Sequence, residues 1–233
     1  MFQIIGLPGL GANECLFENQ KVGLPEFYVF PWIEPKPQES LRDYSARFAS
    51  KIDFDIPTFL MGFSFGSQVA LEIARTHPVK GVFMVSGFLQ DRELPQRFLK
   101  QARLLKRLPQ GPIKSLLKLG IPTLGTNLFA FQEHLDSHWR GRLRAMAQEI
   151  NYDFLLWAIA ASADWSFTSK DKPACPVFSI HGQDDWVIPL PHRPVDLEIK
   201  HAQHLILWKN APVIHDFVLQ KIDQLKISQR PAA

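Results

Sequence analysis

Short apolar runs separated by glycine and proline fill the first third of the chain. Residues 2–5 (Phe, Gln, Ile, Ile) lead into the turn Gly6-Leu7-Pro8-Gly9-Leu10-Gly11. Residues 27–30 (Phe, Tyr, Val, Phe) lead into a proline-rich stretch, 31–37, which loses backbone donors and must be irregular. Runs this short read as strands. Ser40 then suits a helix N-cap, with Leu41, Tyr44, Ala46, Phe48 and Ile52 approximating one helical face. A third apolar run at 58–61 is followed by a helix-like stretch to residue 76, and residues 81–86 form a fourth strand. Strand and helix in alternation predict parallel strands joined by crossover helices.

The pattern changes between residues 87 and 172, where no convincing strand occurs. Phe98, Ala102 and Leu105 mark one amphipathic helix, and Leu143, Met146, Ile150, Phe154, Trp157 and Ala161 mark a single longer one at steps of three and four. Gly111-Pro112 and Gly120-Ile121-Pro122 punctuate the stretch between them. Strand patterning resumes at 176–180, and residues 195–199 alternate with period two, as suits a strand near the sheet edge. A closing helix over 211–225 would bury Val213, Phe217, Ile222 and Leu225. The prediction is one α/β domain built from residues 1–86 and 173–233, carrying a helical insertion at 87–172.

Composition narrows the function classes. With 233 residues, 46% hydrophobic and 21% charged, the chain has the makeup of a globule able to bury a large core. A net charge of +3 is too small to argue for nucleic acid. No uninterrupted apolar run approaches the ~18 residues of a membrane span. Cys15 and Cys175 lie far apart in apolar surroundings, which predicts free, buried thiols and no metal cluster. The N-terminus lacks a basic leader segment, so a cytoplasmic location is expected.

The strongest chemical signal is Gly62-Phe63-Ser64-Phe65-Gly66, with an apolar run before it and a helical run after it. A strand turning directly into a helix holds its serine in a strained conformation, with the hydroxyl lifted off the sheet and the helix amides beside it. In an open parallel sheet the loops at the strands' carboxyl ends face one crevice. Those loops carry, in order, Ser64, then Asp184 or Asp185, then His201 or His204. A serine needs an imidazole to take its proton, and the imidazole needs a carboxylate to fix its tautomer.

In these motifs the chain resembles the α/β-hydrolase superfamily over nearly its whole length. The matching segments are the Ser64 pentapeptide, His181-Gly182-Gln183-Asp184-Asp185-Trp186-Val187-Ile188-Pro189, and His201-Ala202-Gln203-His204-Leu205. The resemblance implies Ser64 as nucleophile, Asp185 rather than Asp184 as the acid, and His204 rather than His201 as the base. It implies an oxyanion hole from the backbone N–H of Phe65 and, after the first strand, of Leu7, with Ile5 standing where the family often has histidine. A phosphate-binding reading of residues 6–11 fails, since no Gly-Lys-Ser/Thr follows. Relative to the family the chain begins at the third strand, so the sheet should have about six strands, mostly or wholly parallel.

By the same resemblance, the insertion forms a lid whose inner face selects the substrate. It offers Phe98, Leu116, Leu117, Leu119, Phe129, Phe131, Trp139, Met146, Phe154 and Trp157, with most of them packing the lid on the body. Residues 91–118 carry eight basic residues against Asp91 and Glu93, a rim able to steer anionic substrates or an acidic carrier protein. The expected function is hydrolysis of a small-molecule carboxylic ester or thioester through an acyl-enzyme, without cofactor or metal. Action on acyl-carrier or CoA thioesters, or on carrier-bound acyl methyl esters, is one alternative. A non-catalytic ligand receptor of the same fold is another.

Overall fold

Six strands form one parallel sheet in the order β2-β1-β3-β4-β5-β6: β1 is Gln3–Leu7, β2 Phe27–Val29, β3 Thr58–Phe63, β4 Val79–Val85, β5 Val177–Gly182 and β6 Leu197–Ile199. The computed structural model describes residues 1–90 and 93–228, so Asp91 and Arg92 of the basic stretch lie outside the described residues. Continuous apolar strands arise because successive side chains enter different cores. Ile5, Leu7, Leu60, Val82 and Met84 pack on one side, beneath α2 (Leu41–Ala49) and α3 (Phe65–Thr76). Ile4, Phe59, Met61, Phe63, Phe83 and Val85 pack on the other, beneath α9 (Ile206–Lys209) and α10 (Ala211–Ser228), with α1 (Glu18–Gly23) alongside these two helices. β6 is an edge strand, as its alternation predicts.

Several boundaries differ from the sequence pattern. β1 runs on to Leu7 because Gly6 and Leu7 keep pairing, with Val29 and Gly62 respectively. In α10 the buried stripe is Ile214, Val218 and Ile222, while Val213 faces solvent, a shift of one residue in helical phase. In α2, Ala46 is exposed and Ser45 buried. Both cysteines are free but only partly buried, and burial pushes the Cys175 thiol up to about 11.

Among the described residues five α-helices lie between β4 and β5: α4 (Gln96–Leu105), α5 (Gln110–Gly120), α6 (Thr126–Gln132), α7 (Ser137–Gln148) and α8 (Tyr152–Asp164). The long helix expected through Leu143 and Ala161 is two helices. Asn151 divides them by capping α8, its side chain accepting the N–H groups of Asp153 and Phe154. Conversely, Gly120-Ile121-Pro122 does not interrupt. A π turn over Ile121–Gly125 joins α5 to α6, so residues 110–132 form one continuous helical run. Pro122 lacks an N–H and crowds the preceding turn, and widening to the π pattern absorbs both defects. α8 is tied to the body through Ser162 Oγ donating to Gln68 Oε1 (2.7 Å) and Trp157 Nε1 donating to the Glu39 carbonyl (2.9 Å).

Candidate active site

The sheet order reverses between β1 and β3, and there the strand ends open a crevice. Ser64 sits between β3 and α3 with φ at +51°, in the left-handed region that a side chain tolerates only under surrounding constraint. Its N–H donates to the Val85 carbonyl (2.9 Å). The constraint is steric as well. A Cβ on Gly62 would lie 2.5 Å from the Gly66 carbonyl oxygen, and one on Gly66 would lie 1.9 Å from that of Leu7. Only glycine at both places lets β1, β3 and α3 close around the serine.

Asp185 and His204 meet in the loops after β5 and β6. His204 Nδ1 donates to Asp185 Oδ2 (2.8 Å), and both side chains are buried. Asp185 Oδ1 accepts the N–H groups of Val187 (3.0 Å) and Ile188 (2.9 Å), which turn the carboxylate toward the imidazole. His181 stands beneath the pair, its Nε2 donating to the Ile188 carbonyl (2.8 Å). Burial pushes the His181 imidazole below its ordinary value, although the Asp185 carboxylate works the other way. Burial works against the Asp185 carboxylate, but the facing His204, its hydrogen bond and His181 outweigh it and hold Asp185 below the ordinary range. Burial likewise opposes the His204 imidazolium, yet Asp185 and Glu133 raise this ring above its ordinary value. Asp184 and His201 are exposed and stand 3.7 Å apart at the surface, a separate pair.

Ser64 and His204 line one cavity of about 380 Å³ without a hydrogen bond between them among the described residues. Such contacts are commonly loose before substrate arrives and tighten in the complex. The rest of the lining is apolar apart from Thr126, and includes Leu10, Leu16, Phe63, Phe129, Leu143, Met146, Ile150 and Leu155. Among the described residues, no charged residue of the basic stretch lines it.

Two of the sequence expectations shift. Phe129 and Met146 face the cavity as expected, whereas Leu116, Leu119 and Phe131 are turned to solvent. Phe65 is the first residue of α3, where a backbone N–H has no partner within the helix. Leu7, however, is fully buried inside the β1 ladder and does not line the cavity. The turn begins two residues later than the apolar run suggests. Gly9 packs against Phe63 and Ser64, and β1's turn brings Leu10, Gly11 and Ala12 to the cavity.

One buried group had no counterpart in the sequence reading. Glu133, immediately after α6, is fully buried. Its Oε1 accepts Trp186 Nε1–H (2.7 Å) and the His204 N–H (3.2 Å), and its Oε2 accepts the Leu205 N–H (3.0 Å). From the other side Ser86 Oγ donates to the His204 carbonyl (3.2 Å). The histidine backbone is thus gripped from the insertion and from β4's end. A lone carboxylate embedded in Phe129-Ala130-Phe131-Gln132-Glu133-His134-Leu135 was the available signal.

The model of the family described as Alpha/beta hydrolase family matches residues 5–223. Similar solved structures include a thermophilic esterase from Thermogutta terrifontis, 15% identical, covering 97% of this chain and 90% of that one with a TM-score of 0.73. An esterase from Exiguobacterium antarcticum is 12% identical, with coverage of 96% and 92% and a TM-score of 0.71. The putative non-heme bromoperoxidase BpoC from Mycobacterium tuberculosis is 18% identical, with coverage of 97% and 93% and a TM-score of 0.70. At these identities the likeness is one of fold. Among curated proteins none matches the sequence.

Proposed function

Because the chain belongs to the alpha/beta hydrolase family, we propose that it is a serine hydrolase acting on carboxylic esters, oxygen or sulfur, of an apolar acyl group. The observation that carries this reading is a strained Ser64 sharing one apolar cavity with a His204 whose tautomer is fixed by Asp185. In this reading Nδ1 of His204 holds its proton toward Asp185, leaving Nε2 to accept the proton of Ser64 as Oγ attacks the ester carbon. Negative charge on the tetrahedral oxygen is met by the N–H of Phe65 and, in place of Leu7, that of Leu10. His204 then returns the proton to the departing alcohol or thiol, and water releases the acid by the same route. Glu133 serves as a positioning residue, holding the His204 backbone rather than touching substrate. The uncharged lining supports an acyl chain over a polar acid, since each methylene buried there contributes about 0.8 kcal/mol.

A fluorophosphonate probe and a p-nitrophenyl ester series test the reading. Labelling of the peptide holding Ser64, with kcat/KM rising from acetyl to medium-chain esters, is expected. Absence of both label and turnover would overturn it in favour of a receptor.

A further inference from the structure

The helical run 110–132 has two unlike faces. Inward, Ile121, Gly125, Thr126 and Phe129 line the cavity beside Ser64 and His204. Outward, Leu116 is 71% exposed, Leu119 75%, Leu124 75%, Leu128 57% and Phe131 70%. Their spacing is three, five, four and three. The step of five falls on the π turn, where the Thr126 N–H reaches the Ile121 carbonyl, so the wider turn keeps Leu119 and Leu124 on one line. The result is an apolar ridge about 22 Å long from Leu116 to Phe131, and nothing in α5 or the π turn is buried beneath it. A folded monomer rarely leaves so much contiguous apolar surface uncovered.

Charge identifies the occupant. Residues 94–132 hold seven basic residues and no acidic one. Lys106 and Lys114 pair with Asp164 and Asp153 of α8, while Arg107 just before the run and Lys118 within it are exposed, as are Arg97 and Lys100 of α4. A second copy docking there would set one cationic stretch against another. A protein groove would have to straddle a ridge flanked by these cations. An anionic bilayer suits both features, since leucines enter the acyl boundary while lysine and arginine stems lie along it with their heads in the phosphate layer. We propose that this ridge is an interfacial surface that seats the protein on anionic lipid without spanning it. The cavity wall then lies one helix thickness from the lipid, and an apolar ester could pass from bilayer to Ser64 around that helix.

Co-sedimentation tests this with vesicles of phosphatidylcholine alone and of equal phosphatidylcholine and phosphatidylglycerol, at low and high salt. The intact protein should sediment with the anionic vesicles, at least about tenfold more than with the neutral ones at low salt, and less as salt rises. Leu119→Ser with Leu124→Ser should weaken sedimentation about tenfold or more, and so should Arg107→Glu with Lys118→Glu. Both variants should keep the parent's circular dichroism. If the serine variant misfolds, the charge variant alone decides. Failure to bind any vesicle overturns the proposal, as does undiminished binding by folded variants. So does a dimer, or a complex with an acidic carrier protein, that these substitutions dissolve while vesicles remain unbound. Sedimentation needs no turnover, so an inert Ser64 would leave this expectation standing.

Discussion

Helix α8 and the helical run 110–132 belong to the same insertion and are both rich in apolar residues, yet they end in opposite environments. α8 buries Phe154, Leu155, Leu156 and Ala158 and is hydrogen-bonded into the body through Trp157 and Ser162. Phe154 stacks on Trp32 at 5.5 Å and meets Phe65, the residue after the candidate nucleophile, at 6.0 Å. The run 110–132 uses only one narrow face against the cavity and presents leucines outward. Apolar content therefore does not decide which helix is core. What differs is what each helix meets: α8 sets Phe154 and Trp157 against Trp32, Tyr44 and Phe65 of the body, whereas the outer run leaves its leucines to solvent.

The contrast can be broken at graded strength, beginning with the site that α8 helps to enclose. Ser64→Ala should lower kcat with a dissolved ester by a factor on the order of 10⁴ to 10⁶, with folding intact. Asp185→Asn, which leaves His204 without its orienting acceptor, should lower kcat by a factor on the order of 10⁴, while Asp184→Asn should stay within about threefold. Equal losses in steady-state assays would show that the buried and surface pairs had been confused.

Glu133→Gln probes the end of the outer run, where it grips the histidine loop. A loss of about tenfold in kcat is expected, since one charged acceptor of two backbone N–H groups becomes neutral. The pH profile separates positioning from mere structure. His204 must be neutral to accept a proton, and its value is raised, so kcat/KM should fall with acidity through a point above the usual ~6.5. Removing the Glu133 charge takes away one raising influence, so that limb should move toward lower pH. An unmoved limb would reduce Glu133 to scaffolding.

The mildest pair concerns stability. Phe154→Ala in α8 should cost about 3–5 kcal/mol in denaturant unfolding. Leu119→Ala in the outer run should change stability by less than about 0.5 kcal/mol. Similar values for both would erase the difference between the two helices.

The parallel sheet, the turn at Ser64 and the series of helices between β4 and β5 were legible because each rests on local pattern: period, glycine spacing and the switch from strand to helix. The end of β1 was not, because Gly6 and Leu7 stay in the ladder through pairing with Val29 and Gly62, partners far along the chain. That single extension keeps Leu7 buried in the ladder, which is why Leu10 rather than Leu7 is the second oxyanion donor we propose. The break at Asn151 was masked by hydrophobic steps that continue in phase across it, although an asparagine with helix on its C-terminal side is itself a capping signal. Glu133 escaped because its three donors come from residues 186, 204 and 205, so its role exists only after folding.

The grip of Glu133 on the segment after β6 bears on how freely this architecture can be rearranged. Exchanging everything between β4 and β5 for an unrelated helical module would remove, along with the old walls, an anchor on which the imidazole's placement relies. Chimeras built to alter selectivity would need that carboxylate transplanted with Trp186 opposite it, or a poorly aligned base would be mistaken for an unsuitable pocket.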